Sequence, residues 1–183
     1  MADRAERSPP VVRETPWMRP LAPALRLVLH GDARARAAAA AVWGPAFSDE
    51  ACRARVQGGR ATLWLGPDEY LLLETPADQA ESTIASLEQS LHALPHALVD
   101  VSHRQFALEV HGPKAGLILN AACPLDLDIA AFPIGMCTRT VLAKADIVLW
   151  RTSADTFHVE IWRSFHGYVA GLLDEVAGEF YGE

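Results

Sequence analysis

Val99–Leu127, VDVSHRQFALEVHGPKAGLILNAACPLDL, decides the fold. From Arg104 to His111 the apolar residues Phe106, Leu108 and Val110 alternate with polar positions, the period of a half-buried strand. Gly112-Pro113 turns the chain, with Pro113 suited to the first position of a helix. Lys114–Ala122 reads as that helix, and Cys123-Pro124 stops it. Asp100, Ser102 and His103 ahead of the strand invite a second reading as nucleophilic chemistry. A triad, however, needs a base that reaches the serine across space and a third group to orient that base. Neighbours in an extended segment point to opposite sides, and the chain carries no GxSxG elbow. The simpler role for Asp100 and Ser102 is a lead-in turn whose side chains satisfy backbone groups.

Outward from this stretch the same plan appears twice. Ala24–His30 alternates, Gly31-Asp32 follows, and Asp32 is placed to cap an alanine-rich helix through Val42. Gly44-Pro45 breaks the chain. Ala61–Leu65 and Glu69–Glu74 form a hairpin about Gly66-Pro67-Asp68, and Pro76-Ala77 opens a helix to about Leu91 with Ile84, Leu87 and Leu91 on one face. Later strands are expected at Thr138–Lys144, Ile147–Arg151 and Phe157–Trp162. Ser164 is expected to cap a last helix reaching about Phe180. LVLHGDARA (27–35) lies over LEVHGPKAG (108–116), and WLGPDEYLLLE (64–74) over WRTSADTFHVEIW (150–162). Self-similarity over a span of about 80 residues points to duplication rather than a solenoid, whose repeats run to about 20–50. The expected architecture is α+β: two similar half-domains of antiparallel strands backed by helices, residues 21–96 and 97–183. Residues 1–20, with Pro9, Pro10, Pro16 and Pro20, read as an extended arm. That arm is either a disordered tail or a strap whose Trp17 anchors it to a partner.

Composition narrows the function. At 183 residues, 50% hydrophobic and 21% charged, the chain has the make-up of an ordinary globular protein with room for a core. No apolar run approaches the roughly 18 residues of a membrane span, and MADRAERSPPVV lacks the apolar segment of a secretory signal; a cytoplasmic protein is expected. A net charge of −7 argues against nucleic acid as a partner. Cys52, Cys123 and Cys137 are an odd number without CxxC spacing, which favours reduced, mostly buried thiols. The seven histidines show no metal-ligand spacing, and HGPKAG satisfies neither GxGxxG nor a P-loop. Asp126 and Asp128 could pair on one face of an extended segment, but the simpler reading is a solvated loop that remains free to meet a partner.

Four segments in order, LWLGPDEYLLL, LVDVSHRQFALEVHGPKAGLILNAACPLDL, FPIGMCTRTVLAKADIVLWR and FHVEIWRSFHGYV, resemble the gamma subunits of heterotetrameric sarcosine oxidases from about Leu63 onward. The DVSH…VHGPKA segment is also similar to the aminomethyltransferase superfamily, which includes the T protein of the glycine cleavage system. The resemblance implies the fold of an aminomethyltransferase folate-binding domain and an accessory, non-catalytic role in a complex of alpha, beta, gamma and delta subunits. That complex demethylates sarcosine to glycine, forms hydrogen peroxide and passes a one-carbon unit to tetrahydrofolate. FAD, FMN, NAD and tetrahydrofolate are then implied in the partner subunits, with no cofactor, metal or catalytic residue in this chain. A stand-alone tetrahydrofolate-binding module is the alternative, and a small hydrolase using Ser102 and His103 a third.

Candidate interface residues are Trp17, Arg104, Asp126, Asp128, Phe132, Arg139, Arg151, Trp162 and Arg163. The arginines flank strand ends, where a partner's carboxylate could be met bidentately. On FHVEIW, Phe157, Val159 and Ile161 make one face, and His158, Glu160 and Trp162 the other. Trp162 there suits either a protein contact or a cover for the sheet under the last helix.

Overall fold

Both alternating segments that end in His-Gly are strands, and each runs directly into a helix. The structure, a computed structural model, describes residues 12–182, so the first eleven residues of the expected arm lie outside it. In chain order the elements are β1 (Met18–Pro20), β2 (Leu25–Gly31), α1 (Ala33–Trp43), β3 (Ala54–Gln57), β4 (Arg60–Gly66), β5 (Glu69–Glu74) and α2 (Ala80–Leu91). Then follow β6 (His96–Asp100), β7 (Gln105–His111), α3 (Ala115–Asn120), β8 (Cys137–Leu142), β9 (Ala145–Ser153), β10 (Thr156–Trp162), a 3₁₀ turn (Arg163–Phe165) and α4 (His166–Tyr181).

Among the described residues ten strands make two antiparallel sheets, ordered β3-β4-β5-β2-β6 and β8-β9-β10-β7-β1. The orders superpose, β2 on β7 and β5 on β10, but the edge strands are exchanged. β1 leads into β2 yet pairs with β7, Met18 lying opposite Val110. β6 leads into β7 yet pairs with β2, Val99 lying opposite Val28. Each repeat therefore completes the other's sheet.

Strand alternation builds the layers. Leu25, Leu27 and Leu29 of β2 pack with Tyr70 and Leu72 against Ala35, Ala39 and Trp43 of α1 and Leu87 and Leu91 of α2. Phe106, Leu108 and Val110 of β7, with Phe157, Val159 and Ile161 of β10, pack against α3 and against Val169, Leu173 and Ala177 of α4. The opposite faces meet each other, with Leu63, Leu71 and Leu73 against Cys137 and Val148. The order of layers is helix, sheet, sheet, helix.

Local chemistry explains most boundaries. Asp32 Oδ1 accepts from the amides of Arg34 at 2.9 Å and Ala35 at 3.0 Å, capping α1 as its sequence predicts. Gly112 sits at φ +100°, a conformation side chains oppose, and its amide donates to the Asp155 carbonyl at 3.0 Å. Two helix starts differ from expectation. α2 begins at Ala80, not Pro76, because Ala77–Ala80 is a separate turn closed by the Ala80 amide on the Ala77 carbonyl. Ser164 lies inside the 3₁₀ turn and caps nothing; α4 starts at His166 without a side-chain cap.

Asp32→Ala removes two hydrogen bonds from the α1 terminus and should destabilise the chain by about 1 kcal/mol. Chemical denaturation should show a lower midpoint with an unchanged slope.

Candidate functional site

The residues that alternate away from the helices do not all reach water. Arg26, between Leu25 and Leu27 on β2, points into the space between the sheets and meets Glu160 of β10. Nε donates to Oε2 at 2.7 Å, with the two side chains 4% and 0% exposed. His158, on the same face of β10, donates from Nε2 to the other carboxylate oxygen at 2.7 Å. Burial alone would raise the Glu160 carboxyl, but the Arg26 charge and the His158 hydrogen bond outweigh it and hold it below the ordinary 4.5. Arg26 also donates from Nη1 to the Ala24 carbonyl at 3.2 Å.

The segment that suggested a nucleophile supports this pair. The Arg26 amide donates to Ser102 Oγ at 2.9 Å, and the Val101 amide donates to the Arg26 carbonyl at 2.9 Å. The Ser102 amide in turn donates to Asp100 Oδ1 at 2.8 Å. Asp100 and Ser102 thus form the lead-in turn that alternation favours, and they lock the strand carrying Arg26. His103 follows in that turn, exposed.

Beside the ion pair a cavity of about 430 Å³ opens between the sheets. Val28, Leu65 and Leu71 line it from one sheet, and Gln105, Val148 and Glu160 from the other. Arg104, Arg139 and Trp162 stand around it as well. The Arg104 guanidinium lies 5.3 Å from the centroid of the Trp162 ring, which is 44% exposed. Arg139 of β8 reaches across to Glu69 of β5, one nitrogen 2.6 Å from Oε2 and the other on Oε1. That bidentate bond, with His30 Nε2 3.4 Å from Oε1, keeps the Glu69 carboxyl below its usual range.

The expected interface residues fall into three places. Arg104, Arg139, Trp162 and Arg163 gather near the cavity, the Arg163 amide donating to the Arg104 carbonyl at 2.8 Å. Asp126, Asp128 and Phe132 belong to one loop, and Arg151 of β9 lies beneath it. Asp126 Oδ1 accepts from the Asp128 amide at 2.9 Å, and Asp128 Oδ1 from the Ala130 amide at 2.8 Å, so both carboxylates shape their own turn. Phe132 is buried beneath it. Arg151 is buried too, donating to the carbonyls of Leu127 at 3.0 Å, Phe132 at 2.8 Å and Ala154 at 2.7 Å. Trp17 stands apart, buried in the chain's own core and stacked on Tyr181 at 5.1 Å. Sequence reasoning missed Arg26, His158 and Glu160 as a group. The available signal was a charged residue inside each of two otherwise apolar strands.

Among the described residues no group of three or more His, Cys, Asp or Glu is placed to hold a metal, and no helix is long and apolar enough to cross a membrane. The start of α1 is also unsuited to a dinucleotide phosphate. The Asp32 carboxylate already occupies its first free amides, those of Arg34 and Ala35.

Comparison with known proteins places this architecture. The family model described as "Sarcosine oxidase, gamma subunit family" matches residues 30–179. The chain belongs to the sarcosine oxidase gamma subunit family. The gamma subunit of Corynebacterium sp. (strain P-1) is 34% identical over 125 residues, 68% of this chain and 60% of that one. In Arthrobacter sp. the gamma subunit is 37% identical over 101 residues, 55% of this chain and 48% of that one. The alignments thus span between 48% and 60% of the length of those gamma subunits. A chain of the heterotetrameric sarcosine oxidase of Corynebacterium sp. U-96, solved with pyrrole 2-carboxylate, superposes with a TM-score of 0.81 at 30% identity, covering 89% of this chain and 84% of that one. The aminomethyltransferase T of the Bartonella henselae glycine cleavage system shares the fold alone, with a TM-score of 0.64 at 13% identity over 85% of this chain and 44% of that one. This gamma-family chain therefore carries the aminomethyltransferase-like fold.

The buried pair sets a pH dependence. Because the folded carboxyl of Glu160 titrates below its unfolded value, its contribution is complete above the ordinary glutamate range and is lost as pH falls through the depressed value. Glu160→Gln should flatten that acid limb of stability. Arg26→Met alone leaves Glu160 buried without its partner and should cost about 3–5 kcal/mol. Arg26→Met with Glu160→Met should recover most of that loss in urea denaturation.

Proposed function

We propose that the chain is the accessory, non-catalytic gamma-type subunit of a sarcosine oxidase complex, assembling with alpha, beta and delta subunits in the cytoplasm. The complex oxidatively demethylates sarcosine to glycine, forms hydrogen peroxide and transfers a one-carbon unit to tetrahydrofolate. FAD, FMN, NAD and tetrahydrofolate then belong to the partner subunits. The observation that carries this reading is the superposition on a chain of the heterotetrameric enzyme over 89% of the residues. The chemistry of the chain agrees. Glu160 is hydrogen-bonded on both carboxylate oxygens, Ser102 is engaged by the backbone, and the first amides of α1 are taken by Asp32.

The loop around Asp126–Phe132 is the part of the surface best built to meet a partner. Arg151 fixes it from below through the carbonyls of Leu127 and Phe132, while Ile129 and Ile134 stand 47% and 53% exposed. A rigid loop that shows branched aliphatic side chains lowers the ordering cost of docking. Arg104 and Trp162, with Arg139 and Arg163 nearby, form the second such region, and Trp17 is held inward.

Coexpressed with partner subunits, a tagged chain should recover flavin-bearing alpha and beta subunits, and Ile129→Asp with Ile134→Asp should reduce that recovery at least tenfold. Purification of the chain alone with bound flavin and sarcosine-oxidising activity would overturn the proposal. The alternative, a stand-alone tetrahydrofolate-binding module, is favoured only by the inter-sheet cavity, whose volume lies within the span of small-molecule sites. Calorimetry of the isolated chain with tetrahydrofolate checks it; the accessory role expects no heat of binding, and the module a saturable isotherm.

A further inference from the structure

Cys52 and Cys137 come from different halves of the chain and meet where the two sheets touch. Arg53 and Met136 form an isolated antiparallel bridge. On either side of it the Ala54 amide donates to the Gly135 carbonyl at 2.8 Å and the Cys137 amide to the Cys52 carbonyl at 2.9 Å. Positions 52 and 137 therefore stand directly opposite each other. The Cys137 amide on the Cys52 carbonyl brings their Cα atoms to roughly the 5.5 Å of a hydrogen-bonded antiparallel pair, with Cys52 in a turn at φ +59° rather than in a strand. A disulfide spans Cα separations of about 4.4–6.8 Å.

The two thiols differ in the way a stepwise oxidation needs. Cys52 is half-buried and sits at φ +59°. Cys137 is fully buried, its Sγ 3.6 Å from the Trp64 carbonyl, in the apolar cluster between the sheets. Burial pushes its thiol up to about 12, and negative charge on Cys52 pushes it the same way, so the two sulfurs lie within each other's field. Cys123 is remote from both, buried in the cluster under α3 and α4.

We propose that Cys52 and Cys137 are a paired oxidation site, closed by a hydroperoxide into a disulfide that ties the two sheets together. In the first step the Cys52 sulfur attacks a peroxide oxygen. The O–O bond breaks, hydroxide leaves and takes up the thiol proton as water, and Cys52 becomes a sulfenic acid. In the second step the Cys137 sulfur attacks Cys52 Sγ, and the S–O bond breaks. The departing hydroxide leaves as water with the Cys137 proton. Two thiols are oxidised by two electrons in total, and one peroxide is reduced to two waters. The buried Cys137 is shielded from direct attack, whereas Cys52 is the sulfur that solvent-borne oxidant reaches. The inference does not depend on the proposed role in sarcosine oxidation.

The test uses the full chain and hydrogen peroxide. After exposure, remaining thiols are alkylated in denaturant and the chain is digested without reductant. The expected products are a Cys52 peptide joined to a Cys137 peptide, with Cys123 alkylated. The thermal midpoint should rise by roughly 5 °C or more and return on reduction. Cys52→Ser should abolish both changes. The proposal is overturned if Cys52 ends as sulfinic or sulfonic acid, if it joins two chains, or if Cys137 is alkylated at peroxide levels that consume Cys52. It also fails if neither thiol reacts at levels that oxidise glutathione. Peptide mapping on the unmutated chain gives this answer even if the variant does not fold.

Discussion

A single buried ion pair constrains how the two halves of this molecule can be assembled. Arg26, near the start of β2, and Glu160 of β10 come from opposite sheets, and nearly all of their surface is removed from water. A charge desolvated to that degree is tolerable only when its partner and its remaining hydrogen bonds are in place. Each sheet must therefore present its residue at one register and one spacing. A slip of one residue in β2 or β10 would exchange the charge for a leucine or a valine and turn the helix-facing set toward the other sheet. The apolar contacts around Leu63, Leu71 and Val148 would accept several arrangements, whereas the ion pair selects one. The Ser102 hydroxyl, bonded to the Arg26 amide, extends that selection to the turn before β7.

The helix-covered faces of β2 and β7 were legible in the sequence because their apolar residues alternate with more polar ones. Leu25, Leu27 and Leu29, like Phe106, Leu108 and Val110, announce a helix-covered face. What alternation leaves open is the destination of the other face. Arg26, His158 and Glu160 have the pattern of outward residues, and outward proves to be the second sheet rather than solvent. No single-strand pattern carries that information, since it depends on which faces meet. The short strands were invisible for a different reason. β1, β3 and β6 are edges, and β6 is exposed along nearly all of both faces, so it offers no in-and-out contrast. Pro76 and Ser164 are reasonable helix starts by type, and both lie in turns that precede the helix. The lead-in role of Asp100 and Ser102 was readable from residue type and spacing, although their service to Arg26 was not.

The arginines of this chain do unlike work under one residue name. Arg26 neutralises a buried carboxylate, and Arg139 clips the sheets together at their rim through Glu69. Arg151 holds a loop by its carbonyls. Arg104 covers an exposed indole. The flat, fork-shaped guanidinium suits all four, and an ammonium group would serve the bidentate and stacked sites poorly. Rigidity at the inter-sheet seam leaves the loop and the ends of β7 and β10 as surfaces whose shape is set before any partner arrives.

The exchanged edge strands have a consequence for how the duplicated chain came to be one molecule. An ancestral single repeat would have lacked its fifth strand unless a second copy supplied it, which describes an intertwined homodimer. Fusing two such copies keeps every strand pairing and converts an encounter between molecules into an intramolecular one. It also frees the two copies to diverge, because their partnership no longer needs identical surfaces. The Arg26–Glu160 pair shows that divergence: a symmetric pair would hold such a β2-to-β10 contact twice, whereas among the described residues no ion pair joins the equivalent strands β7 and β5.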